Sequence, residues 1–229
     1  MPGNIANKDV KTLGLILRRT NYGEADRILN VITPVGKISA IAKGVRKAKS
    51  KLAGGVEMFT LSELQIHQGR SEMGVVTSAK MVKYYKGILE DFTRIEFAGM
   101  VLKQISKVAE HTDSSEWFEV TKQVMEALDE GMDMRLVESW FWLNLLKMTG
   151  EEMNLYRDME SDRLKANRRY DWDAYENSFV KNDRGEYGAD EIKLLRLMVT
   201  SKLSLLKRIK LTEELQGRVF DLVQIMTKN

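Results

Sequence analysis

The chain has 229 residues, 43% hydrophobic and 30% charged, with a net charge of +3 and no cysteine. That supplies a core for one large domain or two small ones and sets disorder aside. It excludes a disulfide framework and any thiolate-held metal.

Charge is unevenly spread. Residues 1–86 hold 15 Lys/Arg against 6 Asp/Glu, and the remainder holds 21 against 27. A basic front and an acidic back suggest two domains, 1–86 and 87–229, with different partners.

In chain order, LGLILRR (13–19) places Leu13, Leu15 and Leu17 on one face at period 2. RILNVIT (27–33) is β-branched and apolar, and Pro34 and Gly36 make a turn before KISAIAK (37–43). A basic loop with glycines follows, then MFTLSELQIHQ (58–68), a turn at GRSEMG (69–74) and VVTSAKMVKYY (75–85). Five short strands with two hairpin signals predict a small barrel of OB type.

After Gly87 the period changes. Residues 88–111 and 114–131 read as helices, the second with Ser114 as N-cap. MRLVESWFWLNLLKMTG (134–150) is apolar on most of its surface and is expected to be central in a helical domain. Residues 151–189 are polar and weakly periodic, an irregular subdomain with a short hairpin around Tyr170–Phe179. Helices resume from about Asp190 to Leu205 and again over 212–228, where Thr212 is the N-cap. The fold class is α+β: a five-stranded barrel followed by a mostly helical domain.

Reactive constellations are sparse. Gly54-Gly55 lacks the G-K-[ST] of a phosphate cradle, and no G-x-S-x-G or H-E-x-x-H is present. His67 reads as a strand-surface residue and His111 as a helix C-terminal cation. Asp171 and Asp173, flanking Trp172, read as solvated acids; no metal and no cofactor is expected. No apolar run approaches the ~18–20 residues that span a bilayer, and the first residues lack a signal peptide's apolar stretch. A cytoplasmic protein is expected.

The basic front is the informative feature. Lys43, Arg46, Lys47, Lys49 and Lys51 fall within one loop, and Arg27 and Lys37 are expected near them across the hairpin of the second and third strands. Such cations attract phosphates without reading bases. Tyr22, Phe59, Tyr84 and Tyr85 are the few rings able to stack bases. The acidic helical half repels DNA and suits partner docking. One basic, apolar set there is Lys202, Leu203, Leu206, Lys207, Arg208 and Lys210, although an amphipathic helix packing its leucines in the core is the favoured reading.

The segments YGEADRI (22–28), GKISAIAKGVRKAKS (36–50) and GG-x-E-x-F (54–59) resemble the N-terminal domain of the RecO family of bacterial DNA repair and recombination proteins. The resemblance covers about the first 85 residues; the helical remainder fits in length and class. It implies an OB fold, binding of single- and double-stranded DNA, annealing of complementary strands and help in loading RecA onto DNA coated with single-strand-binding protein. Implied partners are RecR, the acidic tail of the single-strand-binding protein and sometimes RecF. It implies no enzymatic activity and carries the basic surface onto Arg27, Lys37, Lys43, Arg46, Lys47, Lys49 and Lys51. Glu24 and Asp26 are expected to hold the hairpin or pair with Arg27. Many family members carry a four-cysteine zinc element where 151–189 stands here; aromatic packing around Trp172 is expected to replace it. The competing readings are a protein-binding scaffold, in which DNA contact is incidental, and a metal-dependent nuclease.

Overall fold

The computed structural model describes residues 8–69, 71, 73–109 and 115–227. The chain divides into two compact units, Met1–Gly131 and Met132–Asn229. Strand gives way to helix earlier, after Tyr84.

The first unit begins with β1 (Lys8–Tyr22), β2 (Asp26–Thr33), β3 (Gly36–Ala42), β4 (Thr60–Gln68) and β5 (Gly74–Tyr84). Their order β1-β2-β3-β5-β4 closes into a barrel, with β4 pairing back onto β1. Ile16, Leu29, Val31, Leu64, Ile66 and Val76 fill its interior. Alternation through Leu64 and Ile66 in β4 predicts this face directly.

In β1 alternation misleads. Leu13 is exposed, while Leu15, Ile16 and Leu17 are all buried. A register shift between Ile16 and Arg18 accompanies this run of adjacent buried residues. The outer surface is covered as well, because α1 (Phe92–Val108) and α2 (Ser115–Asp129) pack onto β1, and α2 also reaches β2 and β3. The first helix starts later than its apolar spacing suggests. Residues Lys86–Glu90 form a tighter turn, and Asp91 caps α1 by accepting from the Arg94 amide at 3.1 Å. The expected Ser114 cap and His111 lie outside the described residues.

The second unit is organised by α3 (Met134–Thr149), which packs against α4 (Ala189–Thr200) and α6 (Glu213–Met226). Asp133 caps α3 at its start, and Gly150 ends it at φ +84°. Its centrality is visible in three polar contacts to the end of α4. Trp140 Nε1 donates to the Ser201 carbonyl at 2.9 Å, Asn144 Nδ2 to Met198 at 3.1 Å and Lys147 Nζ to Val199 at 3.1 Å.

The helical stretch expected from about Asp190 to Leu205 is two helices: α4 ends at Ser201, and a four-residue α5 (Leu203–Leu206) follows. Between α3 and α4 lies the hairpin β6 (Tyr170–Asp173) and β7 (Ser178–Lys181). Phe179 is fully buried and meets the rings of Tyr170, Trp172 and Tyr187 edge-on, Trp172 at a centroid distance of 5.0 Å. Tyr175, by contrast, is 94% exposed and takes no part.

Candidate nucleic-acid interface

The basic loop leaves β3 and returns through a short turn of helix, Ala53–Val56. It is pinned at both ends. Val45 and Val56 insert into the barrel interior, with Leu52 and Ala53 packed against it, and residues 46–49 between them are exposed. Gly44 sits at φ +64°, where a side chain would be strained, and its amide donates to Asp26 Oδ1 at 2.7 Å. The Arg46 amide donates to the Ala25 carbonyl at 2.9 Å. Asp26 therefore holds the loop, as an acid inside a basic segment can when its oxygens face amides.

Lys43, Arg46, Lys47, Lys49 and Lys51 are all exposed. Among the described residues none has a carboxylate within 4 Å. Their positive charge is unmatched by the protein and remains for a polyanion.

Of the two strand cations, Arg27 lies at the loop end but is engaged by Glu57, and Lys37 stands apart. Arg27 is half-buried, donates to Glu57 Oε1 at 3.2 Å and to Asn21 Oδ1 at 3.3 Å, and Arg19 pairs with the other Glu57 oxygen. The expected pairing of Arg27 with Glu24 or Asp26 is thus replaced by Glu57. Lys37 faces Ile32 at the turn end of the hairpin, whereas Arg27 faces Ala42 at the loop end. At about 3.3 Å per residue Lys37 stands roughly 20 Å along the strand from Lys43. Its ammonium donates to the Ser106 carbonyl of α1 at 3.0 Å.

Two residues of this barrel end escape a reading of the sequence. Arg19 looks like any strand cation. Glu57, the acid of the GG-x-E-x-F element, is the shared partner of two arginines. The same element explains its glycine: a Cβ on Gly55 would lie 2.5 Å from the Ala79 carbonyl oxygen.

Beside the Arg19–Glu57 pair lies a cleft of about 380 Å³ lined chiefly by Met58, Phe59, Met81, Tyr84 and Leu89. Two of the four candidate rings, Phe59 and Tyr84, therefore meet there. Tyr22 stands exposed at the β1–β2 turn. Tyr85 is buried, and that burial, with Glu126 and Asp129 nearby, holds its phenol protonated far above the usual range.

In the second unit Leu203 and Leu206 are buried, which removes them from any docking surface. Lys202, Lys207, Arg208 and Lys210 are exposed. The acidic excess of the back of the chain is not there. Residues 87–131 hold 4 Lys/Arg against 10 Asp/Glu, and residues 132–229 hold 17 of each.

Among the described residues no three His, Cys, Asp or Glu side chains gather as a metal site. Asp171 accepts from Asn182 Nδ2 and from the Glu186 amide at 3.0 Å, while Asp173 accepts from the Tyr175 and Glu176 amides. Both carboxylates are thus engaged by neighbours within the hairpin region. His67 is half-buried on β4, with Nδ1 2.8 Å from Asp9 Oδ1.

The family described as Recombination protein O N terminal matches residues 8–85, and Recombination protein O C terminal matches 89–227. Among curated relatives the chain is 33% identical over 149 residues to DNA repair protein RecO of Dehalococcoides mccartyi (strain 195), covering 64% of this chain and 58% of that protein. It is 31% identical over 147 residues to the protein of that name from Roseiflexus sp. RS-1, covering 64% of this chain and 52% of the relative. With Listeria monocytogenes (strain EGD-e) DNA repair protein RecO it shares 26% identity over 215 residues, 89% of this chain and 82% of the relative. The chain spans little more than half the length of the first two and most of the third. With both halves matched, the chain belongs to the RecO family of recombination proteins.

Proposed function

We propose that the chain is a non-enzymatic DNA-binding protein of recombinational repair. It binds single- and double-stranded DNA through the barrel loop, anneals complementary strands and assists RecA loading on DNA coated with single-strand-binding protein. The observation that carries this reading is the set of five exposed cations on a pinned loop, none with a carboxylate within 4 Å among the described residues. Annealing requires the repulsion between two polyanionic strands to be lowered while their bases stay free to pair. Lysines and arginines that meet phosphates without a ring on the loop itself suit that task. Relatives named DNA repair proteins support it.

The proposed partners are RecR, the acidic tail of the single-strand-binding protein and RecF, and the proposed place of action is the bacterial cytoplasm at the nucleoid. Lys202, Lys207, Arg208 and Lys210 are the proposed contacts for the acidic tail.

A second reading is favoured by the apolar cleft. Met81, Tyr84 and Leu89 are each more than two-fifths exposed around it, and an exposed apolar patch next to a charged rim is the form of a protein-docking surface. On that reading the barrel binds a protein and DNA contact is incidental.

Annealing of two labelled complementary oligonucleotides distinguishes the two. The DNA reading predicts that the full chain accelerates pairing without nucleotide and that added salt abolishes the effect. No acceleration at low salt would leave the scaffold reading.

A further inference from the structure

The second unit carries its own concentration of unmatched positive charge. Arg157, Arg163 and Arg196 line one pocket of about 470 Å³ together with Tyr156 and Leu164. An adjoining depression shares Leu164 and Arg196 and adds Lys165 and Lys193, the latter 3.6 Å from Asp190 Oδ1.

The sequence builds this cluster from distant pieces. Asn154 Oδ1 accepts from the Tyr156 and Arg157 amides at 3.1 and 3.0 Å and turns the chain out of α3. Arg157 and Arg163 then pair as an antiparallel bridge. The tip between them is folded around the buried Asp158, whose Oδ1 accepts from the Glu160 and Asp162 amides. Arg196 arrives from α4. Its Nε donates to the Leu155 carbonyl at 2.8 Å, and its guanidinium lies 4.7 Å from the Tyr156 ring centroid.

Among the described residues, no carboxylate lies within 4 Å of any of the three guanidiniums. Asp158, next to Arg157, is turned onto backbone amides, and the exposed Asp162, next to Arg163, pairs with none of the three. Three like charges around one pocket repel one another and raise the local potential, which an anion relieves.

We propose that Arg157, Arg163 and Arg196 form a second phosphate-binding site, for the sugar–phosphate backbone of a nucleic-acid strand. Guanidinium forks match phosphate oxygens two at a time. Tyr156, 55% exposed, supplies a ring face beside the phosphates. An acidic peptide fits less well, because such tails need an apolar anchor and Leu164 is the sole aliphatic side chain of the pocket lining. The inference rests on the DNA-binding reading and extends it. With one cationic site on each unit, a single molecule can hold each of two strands.

The test is the affinity of the full chain for fluorescein-labelled poly-dT across salt, for Arg163→Glu and for Arg157→Glu with Arg163→Glu. Arg163 is the cleaner position, since its side chain makes no hydrogen bond or ion pair among the described residues. An unchanged thermal midpoint confirms folding, and Arg163→Gln serves as the milder variant should the reversal unfold the unit. We expect the slope of log affinity against log salt to shrink by about 0.7 for each phosphate that the variant no longer neutralises, with the Arg163→Lys variant keeping the wild-type slope. The Lys47→Glu, Lys49→Glu variant is measured alongside. Should that variant have a reduced slope while the arginine variants keep theirs, the second site is overturned and the DNA reading stands. Failure of the wild type to bind overturns both. Binding of poly-glutamate that Arg163→Glu abolishes, with poly-dT affinity untouched, assigns the pocket to a peptide and overturns the proposal.

Discussion

Arg27 donates to Glu57 at 3.2 Å across a sequence gap of 30 residues, and Arg19 grips the other oxygen of the same carboxylate. Glu57 therefore offsets two cations that lie next to the basic loop. Replacing it with glutamine keeps its shape and removes its charge. Glu57→Gln is expected to lower stability by roughly 1 kcal/mol, since the pair is partly exposed, and to raise single-strand affinity. Fluorescence anisotropy at two salt concentrations checks it; unchanged or weaker binding would place these arginines outside the DNA surface.

Gly55 leaves no room for a side chain. A Cβ there would meet the Ala79 carbonyl oxygen at 2.5 Å, and a backbone atom of β5 cannot swing aside. Gly55→Ala is expected to cost about 1–3 kcal/mol, read as a lower urea midpoint with an unchanged slope. Gly54, with nothing within 4 Å of its Cβ position, is the control and should tolerate alanine.

Glu191 is 3% exposed at the start of α4, accepts from the Gly188 amide at 2.9 Å and meets Arg218 at 2.6 Å. Burial works to raise its pKa, but the amide hydrogen bonds and the Arg218 charge outweigh it, and the carboxyl titrates below its ordinary value. A depressed folded pKa gives stability that is present above the unfolded value, about 4.3, and disappears as pH falls through the folded one. Glu191→Gln is therefore expected to be less stable than wild type at pH 7 by about 1–3 kcal/mol. The gap should close as both proteins are acidified below pH ~4. A gap independent of pH would assign the effect to packing.

Trp172 meets Phe179 edge-on at 5.0 Å in the hairpin between α3 and α4. Trp172→Ala is expected to destabilise the second unit by about 2–4 kcal/mol. A thermal shift of only a degree or two would show that the hairpin is held by other means.

Much of the barrel is readable from residue order because its signals are local. Alternation in β4 marks its faces, Pro34 and Gly36 mark a turn, and the loop cations stay together because they are neighbours in the chain. What sequence spacing misplaces depends on closure. Lys37 lies at the far end of a hairpin whose register sets it apart from Lys43. Leu13 is exposed because β1 buries successive residues around a register shift. Arg27 and Glu57, or Arg157 and Arg196, meet only after distant segments have paired, and no local pattern announces them. The charge asymmetry is real but belongs to residues 87–131 and not to residues 132–229, a distinction that a two-domain division at residue 86 hides.

The central claim is that the exposed cations of residues 43–51 contact phosphate. The most direct measurement is the salt dependence of affinity for a single-stranded oligonucleotide, comparing the wild type with Lys47→Glu, Lys49→Glu. At about 0.7 in slope per neutralised phosphate, two fewer phosphates predict a slope smaller by about 1.4 and weaker binding at every salt concentration. Equal affinity and equal slope in a variant that melts like the wild type would contradict the account.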